Sequence, residues 1–276
     1  MYGNVDNGHW ISVEALKGQE VLIISMAVTA PPEQQSKLIE AAAAANVPWV
    51  LPNEWGPDGE NKQLGKDVML GEKQTKYRAH IEQLGKSSWI GIACSFWYEF
   101  SLSSGTDTYG FDFKNRTVTF IDDGKTRINT STWPQCGRGI AGLLGLKILP
   151  DDENDRSPHL SHFRNRFVYI SSFLVSQKDM LDSVMRVTGT SLQDWKITHE
   201  PHKERYESGL AELKKGNRLG FARVLYTRVF YPDGSGDFET SKGLHNDILG
   251  LPKEDIDEYT KKALQMAEEQ GELGNH

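Results

Sequence analysis

The chain has 276 residues and a formal net charge of −7, with 31 Lys and Arg against 38 Asp and Glu. A nucleic-acid-binding protein normally presents a basic face to phosphates, so this balance argues against a nucleic-acid partner. The sequence has neither an apolar run of eighteen residues nor a basic-then-apolar secretory start, and we expect no membrane segment. Two cysteines, Cys94 and Cys136, are too few for a disulfide framework. We interpret them as buried free thiols and expect a cytoplasmic protein.

The region from Leu16 to Gly56 predicts a strand, a helix and a second strand. An apolar run at 21–25 precedes a helical segment at 31–46, and a second apolar run at 47–51 leads into the turn Pro52-Asn53-Glu54-Trp55-Gly56. This order is the βαβ unit of a parallel sheet. Ligands bind such sheets at the carboxyl ends of the strands, which here are residues 25–27 and 52–56.

Further elements follow in a mixed order of helices and strands. The apolar pattern and turn residues predict a helix at 61–85 broken near Gly71, strands at 88–94, 117–122, 126–129 and 167–170, and helices at 134–146, 203–215, 221–230, 238–249 and 253–269. Asp123-Gly124 predicts a hairpin between the second and third of these strands. Ser176 with Asp179 predicts the capped start of another helix.

An acidic loop at 151–155 is the clearest break in composition. We therefore predict one domain at 1–150 and a second, mostly helical one at 151–276.

One glycine motif has the letters of a dinucleotide-binding fingerprint but the wrong context. Residues 137–142 read Gly-Arg-Gly-Ile-Ala-Gly, whereas the fingerprint works only directly after a parallel strand. Pro134 is typical of a helix start, which would place these glycines inside a helix. We interpret them as sites of close helix packing.

Most catalytic motifs are missing from the sequence. No Tyr is followed four residues later by Lys, and neither a nucleophile elbow nor a P-loop occurs. Two histidine pairs, His159 with His162 and His199 with His202, have ligand-like spacing but lie in polar segments without a third ligand. We predict that they are solvated and that the chain holds no metal.

Several segments, in their order along the chain, resemble the NmrA-like, isoflavone-reductase-like branch of the atypical short-chain dehydrogenases. They are residues 16–21, 37–42, 47–56, 78–82 with 88–92, 116–121, 130–146, and 168–170 with the helix that starts at Ser176. The resemblance covers about 16–187 and, more weakly, the remainder to His276.

The resemblance implies an α/β fold and NADP as cofactor, with NAD also possible. Compared with the family, the first three strands, two helices and the Gly-rich cofactor turn are expected to be missing before Leu16. The expectation is thus an N-terminally truncated Rossmann-like parallel sheet with a smaller, mostly helical C-terminal substrate lobe. Strand 21–25 would then lie at a sheet edge, so we expect poor solubility or a homodimer formed through this edge.

The resemblance also implies the site residues. Ser25, Met26 and Ala27 would meet the adenine-side sugar or the pyrophosphate, and Asn53 and Trp55 would flank the nicotinamide. Three further residues would complete the nicotinamide pocket and lie where the substrate pocket begins: Ser95, Phe96 and Trp97.

The expected catalytic lysine of the family falls on Gln74 when counted back from Ile81-Glu82. A shift of one residue would restore Lys73, which we prefer, and Lys76 is the second candidate. Both lysines could equally be solvated helix residues.

Three functions remain open. The first is an NAD(P)H-dependent oxidoreductase acting on a small aromatic or enone-like substrate, if a full-length form exists. The second is an NmrA-like regulator that senses dinucleotides and binds a protein partner. The third is a truncated relic without cofactor.

Overall fold

The computed structural model describes residues 9–27 and 30–273, which form two compact units. The first unit comprises the described residues up to Ala93 together with Leu143–Val168, and the second comprises Cys94–Gly142 with the described residues from Tyr169 onward. The units are interleaved along the chain, and neither coincides with the ranges 1–150 and 151–276. The functional roles of those two ranges stay a prediction.

Helices and strands alternate through most of the described chain. The strands are β1 (Val21–Ile23), β2 (Trp49–Leu51), β3 (Trp55–Gly56), β4 (Ser88–Ala93), β5 (Phe96–Trp97), β6 (Phe111–Asp112), β7 (Thr117–Ile121), β8 (Ile128–Ser131), β9 (Arg166–Tyr169), β10 (Phe173–Val175) and β11 (Lys196–Glu200). The helices are α1 (His9–Leu16), α2 (Pro32–Ala44), α3 (Lys62–Asp67), α4 (Gly71–Leu84), α5 (Tyr98–Ser103), α6 (Trp133–Leu144), α7 (Gln177–Thr188), α8 (His202–Lys214), α9 (Leu219–Val229), α10 (Phe238–Lys242) and α11 (Ile256–Leu273).

The first unit contains the predicted parallel sheet. Its strand order is β1-β2-β4-β3, with β9 also paired to β4, and the pairs β1–β2, β2–β4 and β3–β4 are parallel. All residues of β2 and β4 are buried. This is typical of a parallel sheet that is covered on both faces, whose strands are therefore continuous apolar runs. The prediction of an α/β fold with a parallel sheet is confirmed.

The second unit contains two small sheets that the sequence did not reveal, with strand orders β10-β8-β5 and β11-β7-β6. The predicted hairpin between β7 and β8 is wrong, because the two strands join different sheets. Asp122 explains the divergence. Its amide donates to the carbonyl of Glu200, and its carboxylate accepts from the backbone amide of His202 at 3.0 Å, so β7 is extended alongside β11 instead.

The predicted helix at 238–249 is also wrong beyond its first turn. α10 ends at Lys242, and the following Gly243 has a φ of 76°, a positive value that interrupts a helix and that glycine adopts readily. The next residues turn toward β9, where the amide of His245 donates to the carbonyl of Tyr169 at 2.8 Å. By contrast, the capping box of Ser176 and Asp179 at the start of α7 is confirmed.

The glycine motif lies inside α6, as its sequence context indicated. A Cβ atom at Gly139 would approach the Ile170 side chain to 2.7 Å, and one at Gly142 would approach the carbonyl oxygen of Leu249 to 2.5 Å. Gly139 and Gly142 therefore permit close packing, as predicted, whereas a Cβ atom at Gly137 would meet nothing within 4 Å.

β1 lies at the end of the strand order, with β2 as its one hydrogen-bonded neighbour among the described residues. Ile23 is 43% exposed on this strand, so an apolar side chain accompanies an open row of backbone groups. Such an edge is a template for pairing with another chain.

We predict that the chain self-associates through β1 and that Ile23→Lys shifts it toward monomer, because a charged side chain on an edge strand opposes pairing. Ile148→Lys is the matched control, since Ile148 is 44% exposed but lies outside the named strands. Size-exclusion chromatography with light scattering measures the mass. A monodisperse wild-type monomer would contradict the prediction.

Candidate functional site

The carboxyl ends of β1 and β2 are joined by side chains of the turn at 52–56. The Met26 amide donates to Oδ1 of Asn53 at 3.1 Å, and Nδ2 of Asn53 donates back to the Met26 carbonyl at 3.2 Å. The indole N–H of Trp55 donates to the carbonyl of Ile24 at 2.8 Å. The five cofactor-site residues predicted in this unit, Ser25, Met26, Ala27, Asn53 and Trp55, therefore lie together.

The surface that this edge offers to a ligand differs from the one that the sequence suggests. Asn53 and Trp55 use their polar groups on the backbone after β1, whereas Ser25 and Ala27 are exposed. The edge thus has an exposed hydroxyl, a half-buried indole ring and a fixed backbone at the carboxyl end of a parallel sheet. Parallel sheets bind ligands at that edge, and the exposed Ser25 hydroxyl is a group that can bond to a sugar or a phosphate.

The other three predicted pocket residues lie in the second unit, and the structure gives them different environments. Ser95 is buried and has a φ of 55°. The Phe96 ring stacks on Tyr226 with centroids 4.0 Å apart and meets Tyr109 edge-on, so it fills core space.

Trp97 belongs to a more open aromatic cluster. Its ring is half-buried and lies 6.1 Å from that of Trp133 and 6.1 Å from that of Phe100, measured between centroids. Trp133 is 45% exposed and Phe100 is 37% exposed. Trp97 is therefore the predicted pocket residue of this unit with accessible aromatic neighbours.

The candidate catalytic lysines lie on the outer surface of α4. Lys73 is exposed, with its Nζ 5.8 Å from the centroid of the Tyr77 ring. The Lys76 ammonium is also exposed and pairs with Glu72 at 2.7 Å, one helical turn away. Gln74, at the position expected for the lysine, is half-buried.

Glu54 is a residue that sequence reasoning did not select. It is 3% exposed in the middle of the turn, and its Oε2 accepts a hydrogen bond from Nη1 of Arg78 on α4. Among the described residues, its Oε1 has no hydrogen-bond partner. Burial raises the pKa of Glu54 to about 7, outweighing the guanidinium of Arg78, which lowers it. No local signal in the sequence marks it, because its partner Arg78 lies 24 residues further along the chain.

Arg78 is held between aromatic rings. Its guanidinium carbon lies 5.4 Å from the centroid of the Trp89 ring and 5.1 Å from that of Phe167. The Phe167 ring in turn fits between two glycines, because a Cβ atom would approach it to 2.3 Å at Gly59 and to 2.4 Å at Gly91. The turn, α4, β4 and β9 therefore meet around one arginine.

Histidines of both pairs make contacts within the protein. His159 and His162 stack on each other with ring centroids 4.4 Å apart. Nδ1 of His202 bonds to the Asp122 carboxylate at 2.7 Å, and the His202 side chain is 18% exposed, so the prediction that it is solvated is wrong. Within residues 9–27 and 30–273, no group of three or more His, Cys, Asp or Glu residues could hold a metal ion.

Both cysteines are free, and they differ in exposure. Cys94 is buried as predicted, whereas Cys136 is half-buried. In the part of the chain that the structure describes, no helix has the length and apolar character to cross a bilayer.

The same fold occurs in solved reductases. A structure from the study of pinoresinol-lariciresinol and phenylcoumaran benzylic ether reductases matches with a TM-score of 0.70 and 18% identity, over 95% of this chain and 80% of that one. Isoflavone reductase matches with a TM-score of 0.67 and 18% identity, over 94% of this chain and 79% of that one. The fold is therefore that of the isoflavone-reductase-like reductases, which confirms the resemblance seen in the sequence at the level of the fold.

Two curated fungal proteins are similar in sequence. The oxidoreductase aprR of Aspergillus flavus is 25% identical over 257 residues, which cover 91% of this chain and 79% of that protein. The oxidoreductase poxI of Penicillium oxalicum is 24% identical over 244 residues, which cover 84% of this chain and 70% of that protein. No protein-family model matches the chain.

The buried carboxyl of Glu54 predicts a pH-dependent stability. Since its folded pKa of about 7 lies above the ordinary value of 4.5, its contribution is fully present below pH 4.5 and is lost as the pH rises through 7. We expect the free energy of unfolding of the wild type, relative to Glu54→Gln, to fall by about 3 kcal/mol across this range, at 1.36 kcal/mol per pKa unit.

Urea unfolding at a series of pH values measures this difference. Glu72→Gln is the control, because Glu72 is exposed and the Lys76 ammonium lowers its pKa. The free energy of unfolding of Glu72→Gln should differ from that of the wild type by a constant amount between pH 4.5 and 7. Urea unfolding curves of Glu54→Gln and the wild type that coincide at every pH would show that the prediction is wrong.

Proposed function

We propose that the chain is an NAD(P)H-dependent oxidoreductase of the isoflavone-reductase-like type, acting on a small aromatic or enone-like substrate. The observation that carries this proposal is the carboxyl edge of the parallel sheet, where Asn53 joins the ends of β1 and β2 beside the exposed Ser25. The two similar fungal proteins are named oxidoreductases, and a quinone oxidoreductase of Escherichia coli with this fold was solved with NADPH. NADP is the preferred cofactor and NAD the second.

Each predicted residue has a role in this proposal. Ser25, Met26 and Ala27 bind the sugar or pyrophosphate through the serine hydroxyl and the backbone, while Asn53 and Trp55 keep that backbone in place and flank the nicotinamide. The bound cofactor supplies a hydride. In the second unit, Trp97 contacts the substrate, while the assignment of Ser95 and Phe96 to the nicotinamide pocket stays a prediction of the sequence, and both residues are buried there.

Lys73 is the proposed proton donor. Its ammonium has no ion pair among the described residues, whereas that of Lys76 is paired with Glu72 and would have to leave this partner. A positioned proton donor contributes typically 10²–10⁴-fold to a rate, so its removal is measurable.

A dinucleotide-sensing regulator that binds a protein partner is the second candidate. Both lysines are exposed and Gln74 occupies the expected position, an arrangement that favours binding without turnover. The homodimer, the protein partner and the cytoplasmic location remain predictions of the sequence.

We expect NADPH to raise the thermal stability of the purified chain saturably, and NADH to do so less. A ligand that binds the folded state stabilises it by RT ln(1 + [L]/Kd), which is about 2.7 kcal/mol at a hundredfold excess over Kd. Differential scanning fluorimetry and isothermal titration calorimetry measure the effect, with adenosine as the ligand control. A folded chain that binds neither dinucleotide would refute the proposed cofactor binding.

Lys73→Ala should lower kcat for a reducible enone by about 10²-fold with little change in the Kd of NADPH, since a proton donor acts in the chemical step. Lys76→Ala on the same helix is the matched control and should retain activity. NADPH oxidation is followed by absorbance. Binding of NADPH without any turnover, in the wild type and in both variants, would favour the regulator.

A further inference from the structure

Three consecutive side chains of the turn hold it from opposite sides. Asn53 and Trp55 bond to the backbone that follows β1, while Glu54 between them reaches Arg78 on α4. The turn is therefore fixed at two places, one at the candidate cofactor edge and one on the helix that also carries Lys73. All of these residues belong to the first unit.

Arg78 is a rigid anchor for Glu54. Its side chain is 12% exposed and lies over the Trp89 and Phe167 rings, and its Nη2 donates to Oγ1 of Thr75 at 3.1 Å. An arginine that stacks on rings and bonds in two directions has little rotational freedom left. It holds the Glu54 carboxylate through Oε2.

The ion pair is poorly explained by stability alone. A buried pair often stabilises a protein no more than apolar side chains of similar volume would, because both charges lose their hydration. Glu54 is 3% exposed, and its Oε1 has no partner among the described residues, so its charge is incompletely compensated. A directional bond between the turn and α4 is what an apolar pair could not provide.

We propose that Glu54 is a positioning residue, which through Arg78 fixes the turn at 52–56 and thereby the backbone of Met26 for dinucleotide binding. This inference rests on the proposed function for the identity of the ligand. The positioning itself is independent of that ligand and has its own readout, the amide of Met26 that donates to Asn53.

Hydrogen exchange of the full chain and the Kd of NADPH test the inference together. In Glu54→Ala we expect faster exchange at the Met26 amide and a Kd about tenfold higher, which corresponds to about 1.4 kcal/mol. The amide of Leu64 is the internal reference, because it also donates to an asparagine side chain, that of Asn61, but lies in the first turn of α3. Its exchange should stay unchanged.

Two variants separate positioning from a general loss of structure. Glu54→Gln keeps an oxygen that accepts from Arg78, so we expect both readouts to return close to wild type. Glu72→Ala removes an exposed ion pair from the same helix and should leave both readouts unchanged. A residue that only supported folding would lower the melting temperature without changing the Kd of the folded protein.

The possible results are distinguishable. Wild-type exchange at Met26 and wild-type Kd in folded Glu54→Ala would overturn the inference. If the Met26 amide exchanges faster in Glu54→Ala but the wild type does not bind NADPH, the positioning role is supported and the proposed cofactor is refuted. If Glu54→Ala does not fold, the double variant Glu54→Gln/Arg78→Met leaves no unpaired buried charge, and unchanged Met26 exchange there would overturn the inference.

Discussion

A carboxylate buried in the turn after β2 is the constraint on which the first unit depends. Removing a charged group from water is costly, and the guanidinium of Arg78 offsets only part of that cost, since the pKa of Glu54 still rises to about 7. The ion pair nevertheless draws the turn against α4, and the rings of Trp89 and Phe167 enclose the arginine. The position of the candidate cofactor edge follows from this arrangement.

The sequence predicts the parallel sheet of the first unit better than the two small sheets of the second, for a physical reason. Parallel strands buried on both faces are continuous apolar runs, so β2 and β4 were visible as 47–51 and 88–94. The short strands of the second unit are defined by partners far along the chain. The hydroxyl groups of Thr119 and Thr198, for example, meet 3.0 Å apart across 79 residues. A local pattern such as Asp123-Gly124 therefore predicted a hairpin that long-range pairing overrides.

The candidate site shows the same division. Strand ends of a parallel sheet meet at one edge, so the sequence could place Ser25 beside Asn53. It could not show that the side-chain amide of Asn53 bonds to the backbone of Met26, because these bonds depend on the positions of the two residues relative to each other in the fold. The pair of Glu54 and Arg78 joins residues 24 apart in different elements, and nothing local marks it. Of the consecutive aromatic residues Phe96 and Trp97, only the fold distinguishes the buried ring from the partly open one.

The Phe167 ring, enclosed by Gly59 and Gly91, limits how this protein can change through evolution. A methyl group at either glycine would overlap the ring, and a smaller residue at 167 would leave a void beside Arg78. Single substitutions at the three positions are therefore each unfavourable, whereas a larger residue at 59 or 91 together with a smaller one at 167 keeps the volume filled. Among distant homologues these positions should covary, although more than one hundred residues separate the first from the last.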